Sequence, residues 1–311
     1  MEQRRSRVVD DIEKHFTART AHTEWLKSQR YRASYTLPVY QGDALAAFLF
    51  FDSRQLGVFT PEVTGFLDLF AELAAQLYLA RASAVRTLIG AVNLACGLAS
   101  QRDVETGQHL RRIGLYARLI ARRLARRLGL SDEYVEYVHL LAPLHDIGKV
   151  GIPDRILLKP GRLDLSESAQ MRSHVELGVQ MVDHMIEDLG LGDDLAAQMM
   201  RNIVAGHHER CDGSGYPKGL SGQQISLEAR IVAVADVYDA LSAVRHYKPA
   251  WEHSQYSAEL RRQAAAGMID HDCVEALLAD QAACDEIRLR FADPQDAPAY
   301  GDHTAFNDLM P

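Results

Sequence analysis

Cysteine is scarce in this chain: four in 311 residues, none of them in a C-x-x-C pair. That excludes a disulfide framework and a thiolate-built zinc site, and it predicts a reducing, cytoplasmic setting. An excess of positive charge is also lacking, since the formal net charge is −8. A protein that holds DNA by neutralising phosphates carries the opposite balance, so no DNA partner is expected. One local cationic pocket would still serve a small phosphorylated substrate. The opening stretch MEQRRSRVVDDIEKHF has no apolar core, which excludes a secretory signal. Polar residues punctuate the long uncharged runs, and no membrane span is expected.

Strand patterning is sparse, and the chain reads as mainly α. Residues 7–28 predict one short helix. Two strand-like runs, 34–40 and 44–51, flank the hairpin turn Gln41-Gly42-Asp43. Thr60-Pro61-Glu62 is a helix start: a threonine cap, a proline in the first turn and an early carboxylate. A Leu- and Ala-rich helical pattern then runs to about residue 100, with a break expected near Gly90 or Gly97. A long helix with a partly apolar stripe needs a partner, so homodimerisation through the N-terminal unit and this helix is expected. Residues 103–245 alternate helical stretches with polar loops, and 254–292 are helical again. The expected division is a small α/β unit over 1–61, a connecting helix over 62–100, the main helical domain over 101–293, and a disordered Pro-, Asp- and Ala-rich tail over 294–311.

Histidine is abundant, and its distribution carries chemistry. Glu105 and His109 are four apart at a helix start, which puts both on one face. His145-Asp146 ends an apolar run and reads as part of a buried helix. A buried imidazole beside a buried carboxylate is costly unless paired or metal-bound. Lys149 follows within one turn. His174 stands alone in MRSHVELG. His207 and His208 are adjacent, and on a helix they would point about 100° apart, toward two ions or two sides of a cluster. Asp236 lies in the apolar run RIVAVADVYDALS and demands a cation, with Asp239 one turn on. Mixed imidazole and carboxylate donors suit iron, manganese, zinc or nickel, and the set is too large for one four-coordinate zinc. The arginines 111, 112, 118, 122, 123, 126 and 127 read as a solvated helix face.

The segments ETGQHLRR, LLAPLHDIGKVGIPD, ILLKPGRL, His174, HHERCDGSGYPKGL and ARIVAVADVYDALS resemble, in order and spacing, the HD-GYP family of the HD superfamily of metal phosphohydrolases. The resemblance covers about residues 103–248, close to half the chain. It implies a helical bundle with the HD-GYP extension. It also implies metal ligands at Glu105, His109, His145, Asp146, His174, His207, His208 and Asp236. Two or three divalent ions are implied, iron or manganese before nickel or zinc, and the presence of Glu105 favours three. The implied reaction is hydrolysis of cyclic di-GMP to linear pGpG, and in some members on to GMP. In it Asp146 bridges ions and takes a proton from water, while Lys149 stabilises developing charge or protonates the leaving oxygen. Arg245 and Lys248 match phosphate contacts, and Tyr216 shapes the pocket. Signalling proteins are implied partners at the Gly-Tyr-Pro loop. A binding module without turnover, or a phosphodiesterase for another cyclic dinucleotide, are the alternatives.

Two segments depart from the family pattern. Residues 242–248 lack its aspartate and proline, and Ile269-Asp270-His271 replaces an F-D-P, which bears on the packing of the last helices. Upstream, residues 34–53 and 59–80 are similar to the final strands and helix of a GAF domain, and only about 30 residues precede them. A truncated GAF-like unit is therefore expected.

Overall fold

The computed structural model describes residues 5–16, 20–99, 107–242 and 251–292. The chain divides into two compact units, Met1–Leu88 and Ile89–Pro311. Glu105, Arg245, Lys248 and the expected tail over 294–311 lie outside the described residues.

In the first unit the expected single helix over 7–28 gives way to three pieces: strand β1 (Arg7–Val9), helix α1 (Ile12–His15) and helix α2 (Ala21–Ser28). Two caps account for the interruptions. Asp11 accepts from the amides of Glu13 and Lys14, and Thr20 forms a reciprocal capping box with Thr23. Strands β2 (Ala33–Gln41) and β3 (Ala44–Ser53) form the predicted hairpin, each slightly longer than expected. The sheet is antiparallel in the order β1-β2-β3. Gly42 at the turn has φ 59°, a conformation that favours glycine. Ala33, Tyr35 and Phe59 form the buried cluster under the hairpin.

Helix α3 (Pro61–Ala99) runs unbroken through Gly90 and Gly97. The glycines cost helix stability, but a long run of Leu and Ala around them outweighs it. Tyr35 Oη donates to Asp68 Oδ1 at 2.6 Å and ties the start of the helix to β2. Among the described residues, α3 is the helix long and apolar enough, by length and composition, to cross a membrane. Asp68, Glu72, Arg81 and Arg86 interrupt it.

Among the described residues, the second unit is built from helices joined by loops. Helix α4 (Gly107–Leu128) lies at its centre and packs against α5 (Asp132–Leu141), α10 (Leu227–Ser242), α12 (His271–Leu278) and α13 (Gln281–Arg290). The stripe Ile113, Tyr116, Ile120 and Leu124 is buried as its spacing requires. Each of those isoleucines contributes about 2 kcal/mol by leaving water. The rings of Tyr116 and Tyr238 meet edge-on, 4.8 Å apart, between α4 and α10. Helices α6 (Asp154–Leu157), α7 (Leu165–Arg172), α8 (His174–Asp188) and α9 (Leu195–Gly206) close one side, and α11 (His253–Ala265) packs on α10 and α12. Despite the altered sequence at 269–271, Asp270 caps α12 by accepting from Cys273 N and also pairs with Arg230 of α10.

One close approach decides how the bundle closes. The 3-10 turn Ile147–Gly151 lies on α8 so tightly that a Cβ at Gly148 would sit 1.8 Å from the His174 carbonyl oxygen. Gly178 faces the same contact from α8, where a Cβ would meet Val204 Cγ1 at 2.7 Å. Backbone cannot yield that far, so only glycine fits at 148. Gly148→Ala is expected to destabilise the metal-free protein by about 1–3 kcal/mol. Urea unfolding reads this directly, and an unchanged midpoint would contradict the close approach.

Candidate metal centre

Residues 142–151 do not continue α5 as an α-helix. Pro143 stands at the start of a 3-10 turn, Ala142–Leu144, where its missing N–H costs nothing. A second 3-10 turn begins after Asp146. His145 and Asp146 therefore sit in a break between two tight turns, not in the buried helix expected. Lys149 still reaches back, with its Nζ 2.9 Å from Asp146 Oδ2.

The other histidines also stand at helix ends. His174 opens α8 directly after the cap of α7, and His207 is the C-cap of α9. A carbonyl oxygen can accept twice, and here ring nitrogens take the second place, since Ala142 O, Met171 O and Ile203 O each also accept a backbone amide. His145 Nδ1 donates to Ala142 O at 3.0 Å, His174 Nδ1 to Met171 O at 2.8 Å, and His207 Nδ1 to Val204 O at 3.1 Å and Ile203 O at 3.2 Å. A carbonyl can only accept, so the hydrogen is on Nδ1 and the Nε2 lone pair faces inward. His109 reaches the same result differently, with Nδ1 2.7 Å from the buried Asp239 Oδ2. Arg112 grips that carboxylate with two donors, at 2.6 and 2.9 Å, and donates a third to Phe291 O. Arg112 is thus buried and paired rather than part of a solvated face.

The inward nitrogens converge on Asp146. Its Oδ1 lies 3.1 Å from His174 Nε2 and 3.5 Å from His207 Nε2, while Oδ2 lies 3.2 Å from His145 Nε2. His174 Nε2, His207 Nε2 and Asp146 Oδ1 are buried and have no hydrogen-bond partner among the described residues. Burial drives the His207 pKa down, and burial with the neighbouring His207 drives His208 down to about 2, so both rings are neutral. Burial raises the Asp146 pKa, but His145 and Lys149 outweigh it and hold the carboxyl well below its usual range.

Donor atoms form two groups, each within 4.8 Å: Asp146, His174, His207 and His208; and His109, His145 and Asp236. His109 Nε2 lies 3.9 Å from Asp236 Oδ1. The adjacent His207 and His208 fall in one group, because α9 ends at Gly206 and the helical 100° offset does not apply to them. Lone pairs facing a carboxylate at about 3 Å repel unless a cation lies among them, and imidazole with carboxylate donors fits first-row divalent ions. Thiolates are absent from both groups.

Tyr216 stacks on the His208 ring at 4.6 Å and 28°. Its amide donates to His208 O. The buried Glu209 carboxylate accepts from Lys218 N at 2.7 Å and Leu220 N at 2.9 Å, which folds the Gly-Tyr-Pro loop back over the centre. Gly213 serves the turn as expected, with φ 82°. Gly215 serves a different need: a Cβ there would meet Arg210 N at 2.3 Å. Sequence reasoning gives no site role to Arg112, Asp239 or Glu209, and the structure gives one to each. Arg112 has the spacing of the buried face of α4, three residues after His109 and four before Tyr116, and that spacing is a usable signal.

A helical bundle with a His-Asp pair at a break and further histidines converging on it is the HD arrangement. The chain belongs to the HD domain family, in its HD-GYP branch: residues 86–273 match the family. It is 42% identical over 204 residues to a probable cyclic di-GMP phosphodiesterase of Vibrio cholerae serotype O1, covering 64% of this chain and 46% of that protein. It is 42% identical over 197 residues to the cyclic di-GMP phosphodiesterase response regulator RpfG of Xanthomonas campestris pv. campestris, covering 63% of this chain and 49% of that one. It is 44% identical over 162 residues to 3'3'-cGAMP-specific phosphodiesterase 2 of Vibrio cholerae serotype O1, covering 52% and 29%. The matches span less than half the length of each of these relatives.

Because Asp239 orients His109, Asp239→Asn is expected to weaken metal retention by about 10- to 100-fold. Chelator titration followed by elemental analysis measures it. Retention equal to wild type would leave Asp239 as only the partner of Arg112.

Proposed function

We propose that this chain is a metal-dependent phosphodiesterase that hydrolyses cyclic di-GMP to linear pGpG, and on to GMP where the second diester is also cut. The observation that carries this reading is the convergence of His145, His174 and His207 on Asp146, with tautomers set by helix-end carbonyls. Relatives named as cyclic di-GMP phosphodiesterases supply the substrate. Two or three divalent ions, iron or manganese before nickel or zinc, are the cofactors proposed for Glu105, His109, His145, Asp146, His174, His207, His208 and Asp236. Bound there, such ions would polarise the phosphoryl oxygens and lower the pKa of a water molecule.

The chain's own groups supply the rest. Asp146 holds its carboxylate ionised and can accept a proton from the attacking water. The Lys149 ammonium, 2.9 Å away, can stabilise charge on the phosphoryl oxygens or protonate the leaving ribose oxygen. Burial raises the Tyr216 pKa to about 12, so its phenol stays a neutral donor at the rim. Arg245 and Lys248 are proposed phosphate contacts. A second reading, 3'3'-cGAMP as substrate, is favoured by the 44% identity to a phosphodiesterase of that name.

A cytoplasmic setting is supported by the four free cysteines. Homodimerisation through α3 is supported by Phe66, Leu69, Phe70, Leu73 and Leu77, which are exposed at helical spacing. Replacing Leu73 and Leu77 with glutamate should shift the sedimentation equilibrium toward monomer. A wild-type chain that is already monomeric would refute the dimer.

His145→Ala and Asp146→Ala should each reduce turnover of cyclic di-GMP by anaerobically metallated protein to background, with the circular dichroism spectrum retained. Lys149→Ala should lower kcat by about 100- to 1,000-fold. Wild-type-like turnover in either ligand variant would defeat the reading. A wild-type protein that binds the dinucleotide without cleaving it would identify a binding module instead.

A further inference from the structure

Arg172, the last residue of α7, lies two positions before His174, and its side chain is exposed. Its guanidinium carbon stands 4.8 Å from the centre of the Tyr216 ring. Tyr216 in turn stacks against His208. The three side chains form a stack that steps outward from the metal donors to solvent. Among the described residues, Arg172 makes no hydrogen bond or ion pair. That sets it apart from Arg112, Arg118, Arg123, Arg127, Arg201 and Arg230, each of which faces a carboxylate. A guanidinium stacked on a ring loses side-chain freedom but keeps its in-plane N–H groups available at the edge. In a chain of net charge −8, an unneutralised cation held in place beside a catalytic cluster is suited to an anion.

We propose that Arg172 binds the uncut phosphate of a cyclic dinucleotide while its other phosphodiester lies at the metal donors; this rests on the phosphodiesterase reading above. A cyclic dinucleotide carries two phosphates, and one diester at the Asp146 cluster leaves the other to be held elsewhere. The outward end of the His208–Tyr216–Arg172 stack offers a rigid bidentate donor for it. The contact is to phosphate rather than base, because the guanidinium is uncompensated and gains most from a full negative charge.

The test compares wild type, Arg172→Ala and Arg172→Lys as the metallated full chain. Substrates are cyclic di-GMP, 3'3'-cGAMP and bis-para-nitrophenyl phosphate, which has one phosphate and no base. Arg172→Ala should raise KM for both dinucleotides by about tenfold, leave kcat within about twofold, and leave the single-phosphate substrate unchanged. Arg172→Lys should recover part of the loss, and metal content should stay at the wild-type value. A fall in kcat with KM unchanged, or an equal loss on the single-phosphate substrate, would overturn the proposal in favour of a role in positioning Tyr216. A loss confined to one dinucleotide would overturn it in favour of base recognition. If wild type binds dinucleotides without cleaving them, the phosphodiesterase reading fails alone, and the same tenfold weakening in calorimetric Kd tests Arg172. A wild type that neither binds nor cleaves them overturns both.

Discussion

A carboxylate with three imidazole nitrogens within 3.5 Å, in a place nearly closed to water, is the constraint around which the second unit is built. In bulk water those groups would hydrate separately. Inside the bundle they cannot, and the Lys149 ammonium stands beside Oδ2 while Oδ1 faces two imidazole lone pairs. That imbalance is the physical reason the cluster calls for cations rather than for more hydrogen bonds. It is also why the surrounding packing tolerates so little change. His174 reaches Asp146 only because α8 lies directly on Gly148, and α8 lies there only because Gly178 and Gly148 present no side chains to each other.

Helix ends do most of the orienting. An α-helix interior would satisfy every carbonyl within the helix and leave a histidine ring free to rotate. The terminal carbonyls of α7 and α9 and of the turn after α5 have acceptor capacity to spare, and each takes an Nδ1 hydrogen. The same feature that would be an unsatisfied end in another bundle becomes the device that fixes a ligand's tautomer. His109 is the exception. A carboxylate from α10 replaces the carbonyl there, and Arg112 compensates the charge so introduced.

Much of the site is legible in the sequence, because histidines and aspartates set in apolar surroundings seldom serve packing alone. His109, His145, Asp146, His174, His207, His208 and Asp236 all fall in the two donor groups. The backbone that presents them is less legible. Apolar periodicity cannot distinguish a buried α-helix from two 3-10 turns, so it hides the break at 142–151, although Pro143 marks it. Helical geometry ends one residue too early to apply to the adjacent pair at 207–208. Composition groups Arg112 with its solvated neighbours, while its position on the face of His109 and Tyr116 points inward. In the first unit, β1 is three residues long, too short for alternation to reveal, and its pairing with β2 is a tertiary fact.

Donors drawn from several helix ends would couple metal binding to the fold of the bundle itself. Asp146 lies between 3-10 turns, His174 joins α7 to α8, His207 closes α9, and His109 lies on α4. No pair of these comes from one rigid element, so loosening any one junction moves a donor. A bundle without cations would retain the repulsion at Asp146, and that repulsion acts on the junctions where the chain changes direction. Cations held at the cluster would therefore favour the packing of α4, α8, α9 and α10 around one point. The Gly-Tyr-Pro loop is drawn into the same balance from outside, because Glu209 follows His208 directly and holds the loop by two amides. Ligand positions and loop position are thus set by one short stretch of chain, 207–209. The centre and the rim that would receive a substrate cannot shift independently.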